Sequence, residues 1–419
     1  MTYREALTWL FGTQKFGIKL GLDNIERLLS ELKIPRNGDF QIADGGLEAA
    51  APWRIVHVAG TNGKGSVCAM IDSICRAADY RTGLFTSPHL VTFRERIQVD
   101  GEMIGEEEVA RGLTTIRDLV SAWDPHPTFF EIATALGLIH FREFGCEIIV
   151  LETGMGGRLD STNAVAPVVS VITPIALDHQ KWLGHTLGEI ASEKAGIIKP
   201  GVPVVAAPQS SEAERVLRAR AAACGVQLTF VSEPIREGVG LAGEHQKWNA
   251  ALAVAACRSA GISVDECAIR KGLAEVQWPA RFQVFDGRVV IDGAHNPAGA
   301  RALVETWREA FGDERATMIF GVLADKDAAA SYRILSEIAG EMLLPQFRGE
   351  RVRPPAELAQ IVARITPEME CRTFASVARA IAFARNRRRR ILVTGSLHLA
   401  GETLALLRGE PAAFEECAQ

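Results

Sequence analysis

The sequence predicts an α/β fold in two parts, a larger domain built on a mainly parallel sheet and a smaller α/β domain. Three observations predict it. Apolar strand patterns alternate with helical spacings along most of the chain, the signature of sheets covered by helices on both faces. A glycine-rich loop, Gly60-Thr-Asn-Gly-Lys-Gly-Ser66, interrupts one strand-to-helix transition. A chain of 419 residues also exceeds what a single hydrophobic core usually serves.

Taken in order, Ile55 to Val58 reads as a buried strand, and Val67 to Ala78 carries helical spacing at Met70, Ile71 and Ile74. Strands are expected at 54–59, 82–86, 146–151, 168–172 and 203–206, with helices at 66–79, 106–121, 129–144, 187–195 and 211–223. Arg96 to Glu102 adds a hairpin turning at Asp100-Gly101. A second series then begins, with strands at 288–292, 317–322, 341–345 and 390–394. Helices at 297–310, 328–339, 355–365 and 375–386 alternate with them, as in a Rossmann-like domain. The junction Trp278-Pro-Ala-Arg-Phe282 carries a proline and leads into the turn Asp286-Gly287, so the domains are drawn as 1–283 and 284–419.

The loop after the first strand describes a phosphate site of P-loop type. Gly60, Gly63 and Gly65 let the backbone curl so that several amide N–H groups face an anion, the alternative being a plain structural turn. The following helix presents its positive end, and Lys64 adds a mobile charge. The spacing departs from G-x-x-x-x-G-K-[ST], because Gly65 separates the lysine from the hydroxyl.

The formal net charge of −5 argues against non-specific nucleic-acid binding. The run Arg385 to Arg390 reads either as a basic patch or as a solvated helix end favoured by the helix dipole. The eight cysteines, at 68, 75, 146, 224, 257, 267, 371 and 417, form no C-x-x-C pair and suit a reducing cytoplasm. Cys68 and Cys75 share a helical face and read as packing residues. The N-terminus lacks the apolar segment of a signal peptide, and the stretch Ala164 to Leu177 is short and broken by two prolines. No membrane association is expected.

Further polar residues fall just beyond strand ends, where ligands collect in such sheets. Glu152 ends the strand Glu147 to Leu151, where a carboxylate either holds Mg²⁺ or caps the glycine loop that follows. Arg158 in that loop is either an anion ligand or a loop anchor. His179 lies just beyond another strand, Val168 to Thr173, at the end of Pro174-Ile-Ala-Leu-Asp178, as a metal ligand or a structural histidine. Ser87, in Thr86-Ser-Pro-His89, offers a hydroxyl to the same region. In the second half Asp292 repeats the pattern and is placed to accept from ribose hydroxyls. Arg281, just before the boundary, is placed to reach a phosphate. Residues 347–354 read as an exposed basic loop.

These segments occur together and in order: Gly60 to Ser66, Thr86 to Leu90, Glu152 through Arg158-Leu-Asp160, and Ala176 to His179. Glu193-Lys-Ala-Gly196, Arg281-Phe-Gln283, Asp292-Gly-Ala-His-Asn-Pro297 and Asp325-Lys-Asp327 complete the set. The chain resembles the folylpolyglutamate synthase/dihydrofolate synthase family of the Mur ligase superfamily, from about Gly21 to Ser396. The resemblance implies an ATP-dependent ligase: a folate-type carboxylate takes the γ-phosphoryl group, and the amine of L-glutamate attacks the acyl phosphate. It implies ATP as co-substrate, held by Thr61 to Ser66, Asn249, Arg281 and Asp292. It also implies Mg²⁺ held by Ser87, Glu152 and His179. Lys194 matches a lysine that many members carry carbamylated, which would make it a fourth metal ligand and, with Lys64 and His295, a catalytic residue. The bland alternative is an ordinary lysine near a helix end. Thr128-Phe-Phe-Glu131 matches the segment against the pterin-bearing substrate (dihydropteroate or a reduced folate), with Arg158 expected nearby. Where the family usually has Pro-Gly-Arg before the second domain, this chain has Pro279-Ala280-Arg281.

Two other readings compete. A Mur-type ligase for UDP-sugar peptides usually carries an extra N-terminal domain, and only 59 residues precede Gly60. A nucleotide-gated binding protein without ligase activity would need none of the acceptor motifs. A cytoplasmic monomer is expected.

Overall fold

Eight strands form the first sheet, and its central parallel strands are apolar on both faces, the pattern such strands need when helices cover both sides. The eight are β1 (Arg54–Ala59), β2 (Thr82–Phe85), β3 (Ile97–Val99), β4 (Glu102–Met103), β5 (Ile148–Glu152), β6 (Val169–Ile172), β7 (Val204–Ala206) and β8 (Leu228–Phe230). Their order is β4-β3-β2-β5-β1-β6-β7-β8. The strands from β2 to β8 run parallel, and β3 and β4 add an antiparallel hairpin. β1 lies between β5 and β6, so the loops after these three strands are neighbours at the carboxyl ends of the sheet, where ligands of such sheets collect.

The computed structural model describes residues 1–17, 21–34, 53–236, 238–349, 351–410 and 415. Cys417 and Glu350 of the 347–354 loop lie outside them. The chain divides into two units. The first comprises Met1–Ser87, Arg94–Gly240 and Lys247–Val276, and the second Pro88–Phe93, Leu241–Gln246 and Gln277–Gln419.

The second unit carries β9 (Gln283–Phe285), β10 (Val289–Ile291), β11 (Ala316–Phe320), β12 (Ala339–Pro345), β13 (Cys371–Phe374) and β14 (Ile391–Thr394). They are ordered β13-β12-β11-β14-β10-β9, parallel except for β9 against β10. That hairpin turns at Asp286-Gly287, both left-handed with φ of 48° and 72°, as a two-residue hairpin turn requires. One face of the sheet buries Met318, Phe320, Trp307 and Tyr332. The other buries Ile291, Val393, Val377 and Leu404.

Several expected elements shift. The strand expected at 146–151 occupies Ile148–Glu152, so Glu152 belongs to the strand itself. The helix expected from residue 66 begins at Lys64, directly after left-handed Gly63. The helix expected at 328–339 stops at Leu335, because Ala339 already opens β12. The patterns did not show the edge strands β8 and β13, whose side chains are mostly half-exposed or exposed. They also missed the helices Tyr3–Gly12, Asp23–Glu31, Glu244–Ser259, Glu266–Glu275 and Leu397–Leu407. Glu266–Glu275 is held by a close approach to the phosphate-loop helix. A Cβ on Gly272 would lie 2.5 Å from Ile74 Cα, and Ser73 Oγ donates to Gly272 O at 2.8 Å.

The 347–354 loop is less exposed than expected. Phe347 is buried, Leu323 bridges Val352, and Arg353 Nη2 donates to Ala324 O at 2.6 Å. The arginine run is a paired helix end: Arg385 meets Asp286 at 2.8 Å, Arg387 meets Glu341 at 3.2 Å, and Arg390 meets Glu314 at 3.1 Å. Cys68 and Cys75 are buried, as their spacing predicts. No helix among the described residues is long and apolar enough to cross a membrane.

Candidate active site

β1 delivers the chain to Gly60, whose φ of +150° no L side chain adopts easily. A Cβ there would overlap the Thr173 hydroxyl at the end of β6. Gly63 is left-handed at +87°, and the Asn249 side-chain oxygen lies 2.7 Å from where its Cβ would stand. Asn249 thus lies against the loop. The loop is not an all-inward cradle, however. The amides of Thr61 and Asn62 both donate to Pro174 O, at 3.0 and 3.2 Å. Thr61 Oγ1 donates to Ala176 O and accepts from Ala176 N, each at 3.1 Å. The first half of the loop is therefore stitched to the segment leading to Asp178 and His179. The amides of Lys64, Gly65 and Ser66 open the helix, ahead of its first internal bond from Val67 N to Gly63 O.

At the end of β5, Glu152 is buried. Its Oε2 accepts from Ser87 N at 3.1 Å, and Oε1 lies 3.9 Å from Lys64 Nζ. Ser87 Oγ is buried and has no hydrogen-bond partner. A carboxylate beside an orphaned hydroxyl is a hard-oxygen donor pair, which fits Mg²⁺. Among the described residues no group of three or more His, Cys, Asp or Glu is arranged to hold a metal. The expected set contains only two such residues, Glu152 and His179. His179 sits in left-handed backbone at φ 49°, with its amide donating to Asp178 Oδ1 at 2.8 Å.

Lys194 lies in the last turn of the helix Leu187–Ala195 and is buried. Its Nζ donates to Gly60 O at 2.7 Å. Burial, then repulsion from Lys64, lowers its pKa to about 7, against the opposing pull of Asp178 and Asp160. A substantial share of this amine is therefore neutral near pH 7.

The residues expected at the pterin divide by what they touch. Thr128 and Glu131 form a reciprocal cap on the helix Phe129–Glu143, with Thr128 N donating to Glu131 Oε2 at 2.7 Å. Phe129 is buried, stacked on Phe11 with centroids 5.7 Å apart, and the Arg96 guanidinium lies 5.2 Å from its centroid. Phe130 is only half-buried, and its ring edge would meet a Cβ on Gly154 at 2.5 Å. Arg158 pairs with Glu193 at 2.8 Å, and its amide donates to Glu193 O at 2.8 Å. That is the loop-anchor role, with the side chain still half-exposed.

In the second unit, Asp292 accepts from Phe282 N at 2.8 Å and from Ala294 N at 2.9 Å. Each oxygen keeps further acceptor capacity. Arg281 Nη1 donates to Ala280 O at 3.0 Å and would meet a Cβ on Gly293 at 2.9 Å. His295 Nδ1 lies 2.9 Å from Gly293 O, and Asn296 caps the helix Pro297–Phe311. Ala280, where glycine was noted as usual, takes left-handed backbone at φ 56°.

Three residues were given no role of their own in the sequence reading. Thr173 is fully buried under Gly60. Asp160 ties the glycine loop by accepting from Met155 N at 2.8 Å and Thr162 Oγ1 at 2.6 Å. Burial raises its pKa, opposed by those hydrogen bonds. His245 is half-buried near Asp292 and Arg281, and its desolvation lowers its pKa. The motif Leu241-x-Gly243-x-His245-Gln246 was the available signal for His245; for Thr173 there was none.

The two sheets and the loop between strand and helix define a ligase class. Residues 58–205 match the Mur ligase middle domain, and residues 280–397 match the Mur ligase glutamate ligase domain. The chain is 35% identical to a Bacillus subtilis dihydrofolate synthase/folylpolyglutamate synthase over 94% of its length and 97% of the relative's. It is 31% identical to the Escherichia coli enzyme of the same name, over 96% and 94%. It belongs to the folylpolyglutamate synthase/dihydrofolate synthase family. Among solved structures, E. coli FolC in complex with DHPP and ADP superposes with a TM-score of 0.84 at 29% identity, covering 96% of this chain and 98% of that one. A Yersinia pestis bifunctional enzyme complexed with AMPPNP and a Mn ion gives 0.84 at 29%, over 97% and 98%. The UDP-sugar peptide ligase is not favoured.

Proposed function

We propose that this chain joins L-glutamate to the carboxylate of a folate-type acceptor, dihydropteroate or a reduced folate, with ATP as co-substrate. The acceptor carboxylate attacks the γ-phosphorus of ATP, giving an acyl phosphate and ADP. The glutamate amine then attacks the acyl carbon, phosphate leaves, and the amine loses a proton as the amide forms. The observation that carries this reading is the grouping of half-buried Lys64 and Ser87 around buried Glu152, beside a helix N-terminus, in a chain of this family.

Lys64 and the amides of the first helical turn bind the phosphates and offset charge on the transferring group. Asn249, Arg281 and Asp292 bind the remainder of the nucleotide. Ser87, Glu152, His179 and a carbamylated Lys194 would hold Mg²⁺, which supplies Lewis-acid stabilisation of phosphoryl charge when bound. The support for carbamylation is the buried amine of lowered pKa, since only a neutral amine reacts with CO₂. Phe130 beside Gly154 offers the pterin ring an aromatic edge. Arg158 orders the loop under it through Glu193, and Thr128, Phe129 and Glu131 fix the helix that presents Phe130. His295 serves the phosphoryl or glutamate end. The expected cytoplasmic, monomeric state belongs to this reading, and light scattering on the purified protein checks the monomer.

The deciding experiment supplies purified protein with ATP and labelled glutamate, comparing dihydropteroate with tetrahydrofolate. Label transfer to either acceptor, with ADP formed in step, is the expected result. ATP turnover indifferent to both acceptor and glutamate would instead favour a nucleotide-gated protein without ligase activity.

A further inference from the structure

The backbone ladder between β6 and β7 runs out at two prolines. Ala207 N still donates to Ile172 O at 2.9 Å. Continued in the same register, the pairing would next bring Pro174 opposite Pro208, and neither carries an amide hydrogen. The half-buried side chain of Gln209 takes over there. Its Nε2 donates to Thr173 O at 3.1 Å, and its Oε1 accepts from Ile175 N at 3.0 Å. The side-chain amide thus bonds the groups on either side of Pro174, as the backbone of a parallel neighbour would. One carbonyl and one amide opposite it also fix which way round that side chain lies.

This clamp holds the support of the phosphate loop. Thr61 N and Asn62 N both donate to Pro174 O, and Thr61 Oγ1 bonds both the amide and the carbonyl of Ala176. Thr173 lies so close to Gly60 that no Cβ fits between them. Each of these contacts falls on residues 173–176, just past the end of β6. We infer that Gln209 is a positioning residue for nucleotide binding, holding Thr173 and Ile175 so that the Pro174 carbonyl sets the path of Thr61 and Asn62. The inference rests on the reading of this loop as the site of the ATP phosphates. Gln209 acts through the Pro174 carbonyl rather than on the nucleotide.

Calorimetric titration with a non-hydrolysable ATP analogue and Mg²⁺ tests this, in full-length protein whose melting curve confirms folding. Gln209→Ala removes both bonds and should weaken the analogue by about ten-fold, the effect of one or two ordinary hydrogen bonds. Gln209→Glu supplies a readout that a loss of packing would not move. Its ionised carboxylate can accept from Ile175 N but cannot donate to Thr173 O, whereas the protonated acid does both. Relative to wild type at the same pH, Gln209→Glu should bind as weakly as Gln209→Ala at about pH 8 and recover by about pH 5, since a carboxyl held against a carbonyl titrates high. The Gln209→Ala deficit should stay constant over that range. Groups that titrate in all three proteins cancel in these ratios. If Gln209→Ala misfolds, the pH response of Gln209→Glu alone decides. Wild-type affinity in both variants, or a Gln209→Glu deficit that does not shrink on acidification, overturns the positioning role and leaves the phosphate reading standing. If wild type binds no analogue, or Lys64→Ala binds it equally well, the phosphate reading fails and the inference with it.

Discussion

The Lys194 side chain donates to the Gly60 carbonyl at 2.7 Å, joining the last turn of one helix to the first residue of the phosphate loop 134 positions away. The amine is buried beside Lys64, and burial, then repulsion from Lys64, lowers its pKa to about 7. A second lysine is thereby built into the phosphate site in a form that can lose its proton.

Lys194→Ala should lose most ligase activity, and formate or acetate should restore part of it by supplying the carboxylate that a carbamate would provide. Lys194→Arg, which cannot form a carbamate, should stay inactive. The wild-type rate should depend on dissolved CO₂ at pH 7, where a neutral amine is available. An active Lys194→Arg enzyme, or an unmodified amine in a fully active preparation, would refute carbamylation.

Lys64→Ala and Glu152→Gln should fail differently. The first removes a charged contact to the transferring phosphoryl group and should cost about 2–4 kcal/mol of transition-state stabilisation. The second exchanges a formal charge for an amide at a hard-cation site, so activity should persist only at raised Mg²⁺. Rates measured against Mg²⁺ concentration separate them. Near-normal turnover in folded Lys64→Ala, or unchanged metal dependence in Glu152→Gln, would contradict the assignments.

Gly60→Ala should destabilise the protein and weaken ATP binding together, because the new methyl strikes the Thr173 hydroxyl. Backbone strain at φ +150° adds a cost on the order of 1–3 kcal/mol. Thr173→Ala should relieve the collision and leave the strain, so the double variant should recover only part of the stability. Urea titrations of the four proteins give the coupling directly. Full additivity would mean the two residues do not touch.

Acid should unfold the protein partly through His57. This histidine is fully buried in β1, 2.8 Å from Thr162 Oγ1 through Nε2, and burial lowers its pKa to about 3. Above pH 6.5 the ring is neutral in both states. Below that, the unfolded chain binds a proton that the native state refuses until about pH 3. Stability should therefore fall as pH drops through this window, by about 1.4 kcal/mol per unit for one proton. Unfolding midpoints of wild type and His57→Gln, measured from pH 7 to 4, should converge on acidification; parallel curves would remove His57 from the account.

The sequence by itself determined the alternation of strands and helices, the phosphate loop, and the strand-end positions of Glu152 and His179. These are local facts: apolar runs, glycine spacing and polar residues just past a strand. The family motifs added Lys194 and Asn249, which no periodicity marks. Only the tertiary structure decided which polar groups meet. Thr61 and Asn62 turn their amides to Pro174 because β6 lies beside β1, an order the chain alone does not announce. Arg158 anchors to Glu193 because the glycine loop packs on the end of another helix. Lys194 is buried and Lys64 faces Glu152 for the same reason. Charge and spacing are written along the chain, but burial, and with it the protonation of Lys194 and His57, depends on segments brought together by the sheet.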